Sequence, residues 1–242
     1  MKYLDAIIHL LEQVRDTQGE AIEQAAAKVA GAILSDHLIY IFGASHAGIL
    51  AQEMFYRAGG LVPVNPLLPP GLTTDVRPVT LTSRLERLPG LGKHILAETP
   101  IGPMDVLIVH SVSGRNAVAV EIAEDARLRG AFVIALTSLE YSRAVQPRQP
   151  GTKRLFEVAD LVLDDCAPVG DALVQLDGLP QRVAPASTIT GAAILHEITV
   201  QAVEIILRER GDAPVFHSAN LDGGDESNRR WLEHYKGRLI YL

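Results

Sequence analysis

A repeated order of apolar run, polar turn and amphipathic helix constrains this chain more than any other feature. The clearest unit has an apolar run at 104–110, a polar turn at 111–116 and a helical pattern at 117–128, and another apolar run follows at 132–137. Short apolar runs that alternate with helices are typical of a parallel sheet covered on both faces. The sequence therefore predicts an α/β fold with a single doubly wound, mainly parallel sheet.

The rest of the pattern extends this unit in both directions. Amphipathic helices at 3–15 and 20–34 precede the first strand and form an N-terminal helical arm. Further elements are predicted as strands at 38–42, 61–64 and 161–163, helices at 46–57, 83–88, 91–98, 152–158, 187–209 and 226–236, and a hairpin within 172–184. We expect one domain over residues 1–242, divided into N-terminal helices (1–36), an α/β core (37–210) and a C-terminal tail (211–242).

Charge and cysteine content exclude several classes of protein. The net charge is −7, so a broad nucleic-acid-binding surface is not expected. The single cysteine, Cys166, rules out a disulfide framework and favours the cytoplasm. The chain shows neither a signal-peptide pattern nor an uninterrupted apolar run of about 20 residues, so we expect no membrane association.

The turn at 111–116 has the composition of an anion site. It places Ser111, Ser113 and Asn116 between an apolar strand and a helix, where unpaired N–H groups and the helix dipole favour a phosphate. Gly114 lets the backbone approach that phosphate closely. An ordinary helix cap would also use serine and asparagine, so this interpretation stays open.

The first predicted strand ends in a turn of the same kind. Gly43 is followed by Ser45 and His46 before the next helix begins. Because ligands of such sheets bind beyond the carboxyl ends of the strands, the two turns are expected to face one crevice. His46 could equally be a residue of the first helical turn without a ligand, and His110, which ends the other strand, is expected to be a packing residue.

These segments resemble the SIS (sugar isomerase) family over about residues 5–210. Gly43-Ala44-Ser45 matches the family's glycine-and-serine turn, and the segment 111–116 matches its Ser-x-Ser-Gly-x-Asn turn. The segment 186–193 is similar to the opening of the family's last long helix. One branch of the family is still more similar, through 55–61, 168–172 and 220–226, although that branch often has Gly-His-Ser-His where this chain has Ser45-His46-Ala47-Gly48.

The resemblance implies a phosphorylated sugar as ligand. No cofactor and no metal are expected, although the eight histidines leave open whether a metal assists. The residues implied or expected in phosphosugar binding are Ser45, His46, Arg57, Ser111, Ser113, Gly114, Arg115, Asn116 and Ser187. The family also implies a homodimer or homotetramer.

The resemblance further implies catalytic residues. Glu53 and Arg57 match a Glu-x-x-x-Arg pattern of phosphoheptose isomerase, and the family's histidine on the last long helix falls at Glu197, with His196 beside it. His217, before a glycine-rich tail, is a further candidate. Each also has a structural interpretation, since Glu53 and Arg57 at i and i+4 would form an ion pair without any catalysis.

Three functions follow as hypotheses. The first is aldose–ketose isomerisation through an enediol, which needs a base such as Glu and an acid such as His. The second is a protein that binds phosphosugars without converting them. The third is a lyase, etherase or deaminase that acts on an amino-sugar phosphate.

Overall fold

The protein is an α/β domain built on a five-stranded parallel sheet, as predicted. The computed structural model describes residues 1–241. Its elements are α1 (Lys2–Leu34), β1 (Ile39–Gly43), α2 (Ile49–Glu53), β2 (Val64–Leu67), α3 (Thr80–Leu85), α4 (Leu91–Ala97), β3 (Val106–His110), α5 (Ala117–Leu128), β4 (Phe132–Thr137), α6 (Leu139–Ala144), β5 (Leu161–Asp164), β6 (Ala172–Val174), β7 (Val183–Pro185), α7 (Ser187–Arg210) and α8 (Gly224–His234).

The order of the strands reverses between β1 and β3. The sheet runs β2-β1-β3-β4-β5 with every pair parallel. The chain first moves from β1 outward to β2 and then returns to the other side of β1 with β3. Such a reversal of strand order leaves a gap at the carboxyl ends of the two strands, which is where ligands of these sheets bind.

Alternating side chains of the strands belong to two separate apolar layers, one on each face of the sheet. On β1, Ile39 and Ile41 pack with the helices α1 and α7, whereas Tyr40 and Phe42 pack with the layer that includes α5. All five residues of β1 are buried. Burial on both faces explains why the strand is an unbroken apolar run rather than an alternating one.

The N-terminal arm is one helix, so the prediction of two helices is wrong. Helix α1 continues through residues 16–19 as part of its 33 residues. It packs along α7. Propensity alone favours a break at Gly19, but the contact with α7 stabilises a continuous helix, since tertiary packing overrides weak local preferences.

Three other predicted boundaries also differ from the structure. Strand β2 begins at Val64 because Leu61 instead bridges Val215 in antiparallel fashion, and the Val62 N–H donates to Pro214 O. The helix predicted at 46–57 is a 3₁₀ turn at Ser45–Gly48 followed by the short α2. Residues 155–157 form only one turn of 3₁₀ helix.

Helix α6 has no counterpart in the predicted pattern. It is only six residues long and is capped by Ser138, whose hydroxyl accepts a hydrogen bond from the Tyr141 N–H at 2.9 Å. The predicted hairpin is confirmed as β6 and β7.

Helix α7 is long and apolar enough to cross a membrane by length and composition, and in the structure its apolar face packs against α1.

Gly43 is required by the close approach of the first turn to the end of β1. A Cβ atom at this position would overlap the backbone carbonyl of Ala47 and lie 2.8 Å from Gly48 N. We therefore expect Gly43→Ala to lower the free energy of unfolding by about 1–3 kcal/mol, measured by urea denaturation.

The matched control is Gly31→Ala. Gly31 lies within α1 and has no atom within 4 Å of an added Cβ, so this change should raise the free energy of unfolding by about 0.5–1 kcal/mol. Equal effects of the two substitutions would contradict the assigned role of Gly43.

Candidate functional site

The first turn of the crevice is held in an uncommon backbone conformation. Ser45 has a φ of +57°, in the left-handed region, and its N–H donates to Leu72 O at 2.7 Å. The Ser45 side chain is half-buried and the His46 side chain is exposed. The turn therefore brings a hydroxyl and an imidazole to the end of β1, as the sequence predicts.

The second turn leaves two serine hydroxyls available. The Ser111 N–H donates to Leu136 O, and the Gly114 N–H donates to Ser111 O at 3.0 Å, which closes the turn. Gly114 has a φ of +57°, and a Cβ atom there would lie 2.9 Å from Ser142 Oγ. Within residues 1–241, the half-buried hydroxyls of Ser111 and Ser113 make no hydrogen bond to another protein group. They are free to donate to an anion.

Asn116 lies at the start of α5 between two charged side chains. Its Oδ1 accepts a hydrogen bond from Arg148 Nε at 3.3 Å. On the other side is Glu86, whose carboxyl pKa is raised by burial and lowered to a smaller extent by Arg87, Asn116 and Arg148. The amide of Asn116 is thus oriented by two loops that come from distant parts of the chain.

Three arginines surround this end of α5. Burial lowers the pKa of the Arg148 guanidinium, and repulsion from Arg115 and Arg87 lowers it further, so the three positive charges are close enough to act on one another. Arg115 Nε is buried without a hydrogen-bond partner among the described residues. Apart from Glu86, the immediate surroundings of the turn are positive, although the chain as a whole is acidic.

The second group of predicted residues meets between α2 and α7. Glu53 Oε1 lies 3.0 Å from His196 Nε2 and also contacts the Arg57 guanidinium. The three side chains are each about one-third to one-half exposed, at 34% for Glu53, 41% for His196 and 44% for Arg57. Burial, and secondarily the charge of Arg57, lower the pKa of His196 below its ordinary value. Both effects favour the neutral form of the imidazole that faces the carboxyl group of Glu53.

Three other predicted residues lie away from this cluster. Glu197 is exposed and accepts a hydrogen bond from Gln201, in a groove that α7 forms with α1. His217 is exposed, and its backbone is held by the side chain of Asn228. The buried Ser187 donates its hydroxyl to Asp171 Oδ2 at 2.8 Å.

Asp171 is a polar residue at this end of α7 that sequence reasoning did not single out. Its Oδ1 accepts from the N–H groups of Ala186 and Ser187, at 3.1 and 2.8 Å. A carboxylate that accepts the first N–H groups of a helix neutralises the positive end of its dipole. The N-terminus of α7 is therefore satisfied within the chain, in contrast to the hydroxyls of Ser111 and Ser113.

Within residues 1–241 no group of three or more His, Cys, Asp or Glu side chains has the arrangement of a metal site.

Comparison with known proteins places this arrangement in a family. A sequence model described as the SIS domain matches residues 2–138. The chain belongs to the SIS domain family. Its SIS relatives include the UPF0309 protein of Oceanobacillus iheyensis, which is 46% identical over 241 residues and is covered to 98% of its length, with 100% of this chain aligned. A UPF0309 protein of Listeria monocytogenes is 40% identical over 240 residues, which cover 99% of this chain and 97% of that protein.

Solved structures share the fold at much lower sequence identity. A phosphoheptose isomerase from Neisseria gonorrhoeae superposes with a TM-score of 0.57 at 18% identity, covering 83% of this chain and 94% of that one. A phosphoheptose isomerase from Francisella tularensis gives a TM-score of 0.56 with the same identity and coverage. At this identity the likeness confirms the SIS fold of the chain and nothing finer.

The contact between Arg57 and the Glu53–His196 pair generates a prediction about proton affinity. Arg57→Gln removes a positive charge that disfavours the imidazolium, so the pKa of His196 should rise. The measurement is an NMR titration of the histidine rings, with the His196 signal assigned by its loss in His196→Gln.

Arg143→Gln is the control, because Arg143 is an exposed arginine on α6 with no ion pair among the described residues. It should leave the His196 titration unchanged. A His196 pKa that stays constant or falls in Arg57→Gln would show that Arg57 does not act on the imidazole.

Proposed function

We propose that this protein binds a phosphorylated sugar in the crevice between β1 and β3 and interconverts its aldose and ketose forms. The observation that carries the proposal is the Glu53 carboxylate, which lies between His196 and Arg57 on the segment that follows the first turn. A carboxylate next to a neutral imidazole is the acid–base pair that an enediol reaction requires. The phosphoheptose isomerases that share the SIS fold support the same reaction class.

The phosphate is assigned to the second turn. The hydroxyls of Ser111 and Ser113, the backbone at Gly114 and the amide of Asn116 surround the start of α5, where the helix dipole favours an anion. The arginines near Asn116 add positive charge at that point. Ser45 and His46 approach from the first turn and are assigned to the sugar hydroxyls.

The proposed reaction moves one proton between adjacent carbons. The Glu53 carboxylate removes the proton from the carbon that bears a hydroxyl next to the carbonyl, and the carbonyl oxygen gains a proton as the enediol forms. The protonated carboxyl then returns its proton to the former carbonyl carbon, while the neighbouring hydroxyl loses its own. His196 is assigned to the oxygen protons, because a neutral imidazole carries one N–H donor and one nitrogen acceptor.

Deuterium exchange tests the chemistry without knowledge of the product. The purified protein is incubated in D₂O with a panel of hexose, pentose and heptose phosphates, and wash-in of deuterium at C1 or C2 is followed by ¹H NMR. An enediol mechanism predicts wash-in that Glu53→Gln slows by about 10²–10⁴-fold, the contribution typical of a general base.

Glu197→Gln is the matched control. It changes the same residue type to the same amide on α7, but at a position that faces the groove with α1. It should leave wash-in unchanged. Released ammonia or lactate from an amino-sugar phosphate would favour the lyase, etherase or deaminase function, and binding without any exchange would favour a binding protein.

Binding is tested separately from catalysis. Ser111→Ala and Ser113→Ala each remove one hydroxyl donor, so each should raise the dissociation constant for a sugar phosphate by roughly ten- to a hundredfold, as expected for a hydrogen bond to a charged group. Isothermal titration calorimetry measures the effect. Ser35 precedes β1 and lies at the amino ends of the strands, opposite the proposed site, so Ser35→Ala should have no effect on the dissociation constant. Equal binding by all three variants would place the phosphate elsewhere.

A further inference from the structure

A buried histidine and a buried aspartate face each other beneath the two turns. His110 is the last residue of β3 and is 1% exposed, and Asp165 follows β5 and is completely buried. His110 Nε2 lies 3.9 Å from Asp165 Oδ2. Neither of these two atoms has a hydrogen-bond partner in the described part of the chain. Two such atoms directed at each other in a protein interior are costly unless a proton joins them.

The neighbouring contacts fix which atoms can hold protons. His110 Nδ1 lies 3.1 Å from Ala47 O, and a carbonyl oxygen only accepts, so Nδ1 carries a hydrogen. Asp165 Oδ1 already accepts from the Ala167 N–H at 2.9 Å. The remaining atoms are His110 Nε2 and Asp165 Oδ2. Without a proton between them, a lone pair would face a carboxylate oxygen away from water.

The surroundings of Asp165 favour retention of that proton. Burial raises the pKa of the Asp165 carboxyl, and contact with His110 lowers it to a smaller extent. Among residues 1–241 the other charged neighbour is Asp164 beside it, whose negative charge raises the pKa further. Cys166 comes next in the chain, and burial raises its pKa to about 11, so it is an uncharged thiol at neutral pH. From α7, Gly191 approaches the imidazole without a side chain.

We propose that His110 and Asp165 form a positioning pair that shares one proton between Nε2 and Oδ2 and thereby fixes the turn Ser45–Gly48 at the mouth of the crevice. Closing the gap to a hydrogen bond needs a shift of about 1 Å. His110 is too deeply buried to touch a ligand, so it acts through the Ala47 carbonyl. The proposal rests on the proposed function only in taking that crevice as the ligand site.

The pair connects the parts of the crevice that must stay in register. His110 is paired with Gly43 across β1 and β3, and it directly precedes Ser111. A Cβ atom at Gly191 would lie 3.9 Å from His110 Nε2 and 2.7 Å from Leu50 Cδ1, so α7 also approaches here. The first turn, the second turn and the helix that carries His196 therefore all meet at this one imidazole.

Proton counting gives the sign of the pH dependence. Above about pH 6.5 the unfolded chain has a charged aspartate and a neutral imidazole, so the folded pair holds one proton more. Between about pH 4 and 6.5 the folded and unfolded states hold equal numbers of protons, so the stability from the pair is complete there and decreases as the pH rises further, until the pair releases its proton. For a domain of this size the thermal midpoint should fall by roughly 3–5 °C per pH unit over that range.

Asp165→Asn separates the shared proton from the shape of the site. Asparagine keeps an Oδ1 acceptor for Ala167 and donates Nδ2–H to the imidazole lone pair, but it does not titrate. The difference between the thermal midpoints of wild type and Asp165→Asn should therefore decrease as the pH rises above 6.5. Asp164→Asn, one residue earlier, is the matched control and should keep the wild-type fall.

The exchange rates of backbone amides report directly on the order of the turn Ser45–Gly48. Ala47 N–H donates to Ala44 O, and Ser45 N–H donates to Leu72 O. After correction for the intrinsic rates, these amides should exchange at least tenfold faster at pH 9.5 than at pH 7 in wild type and at equal rates in Asp165→Asn. Asp165→Ala, where it folds, should exchange fast at both pH values.

The outcomes distinguish this proposal from the proposed function. The positioning pair would be overturned if wild type and Asp165→Asn showed the same decrease in thermal midpoint with pH and the same amide exchange rates in the turn. This holds even if sugar phosphates bind. Loss of turn protection confined to wild type at high pH would support the pair, even if no sugar phosphate in the panel binds or exchanges deuterium.

Discussion

Strands β1 and β3 lie side by side, but the segments that follow them leave toward opposite faces of the sheet. Helix α2 goes to the layer of α1 and α7, whereas α5 goes to the other layer. The two turns are adjacent at their bases, where Gly43 pairs with His110. The position of the proposed ligand site follows from this one feature of topology. A strand order without reversal would close the gap with a connecting loop.

The fold class could be predicted because its core strands are buried on both sides. An unbroken run such as residues 39–42 has few alternatives when a glycine and a helix follow it. Errors arose where distant contacts decide the structure. The extra length of α1 depends on α7, and the late start of β2 depends on Val215 and Pro214, more than 140 residues further along the chain. Local preference does not contain these contacts.

The candidate site was predictable to the same degree. Glu53 and Arg57 are four residues apart in the sequence, and the structure brings them together beside His196 although α2 ends at Glu53. The choice between His196 and Glu197 is a matter of helix phase, because neighbouring residues point about 100° apart. Ile194, Leu195 and Ile198 are all buried, so the apolar pattern alone left both positions at its border. Similarly, nothing near Ser187 in the chain indicates that Asp171 accepts its hydroxyl, or that Arg148 contacts Asn116.

The pairing of α1 with α7 also determines when the domain can complete its folding. Roughly 150 residues separate the two helices, which a ribosome adds in about 8–30 s. During that interval the stripe of α1 that contains Ile22, Ala26 and Val29 has no permanent cover, since its main partner has not been synthesised. The nascent chain therefore exposes an apolar, aggregation-prone surface from early in translation. Its yield in a cell should depend on chaperones that shield this stripe until α7 emerges.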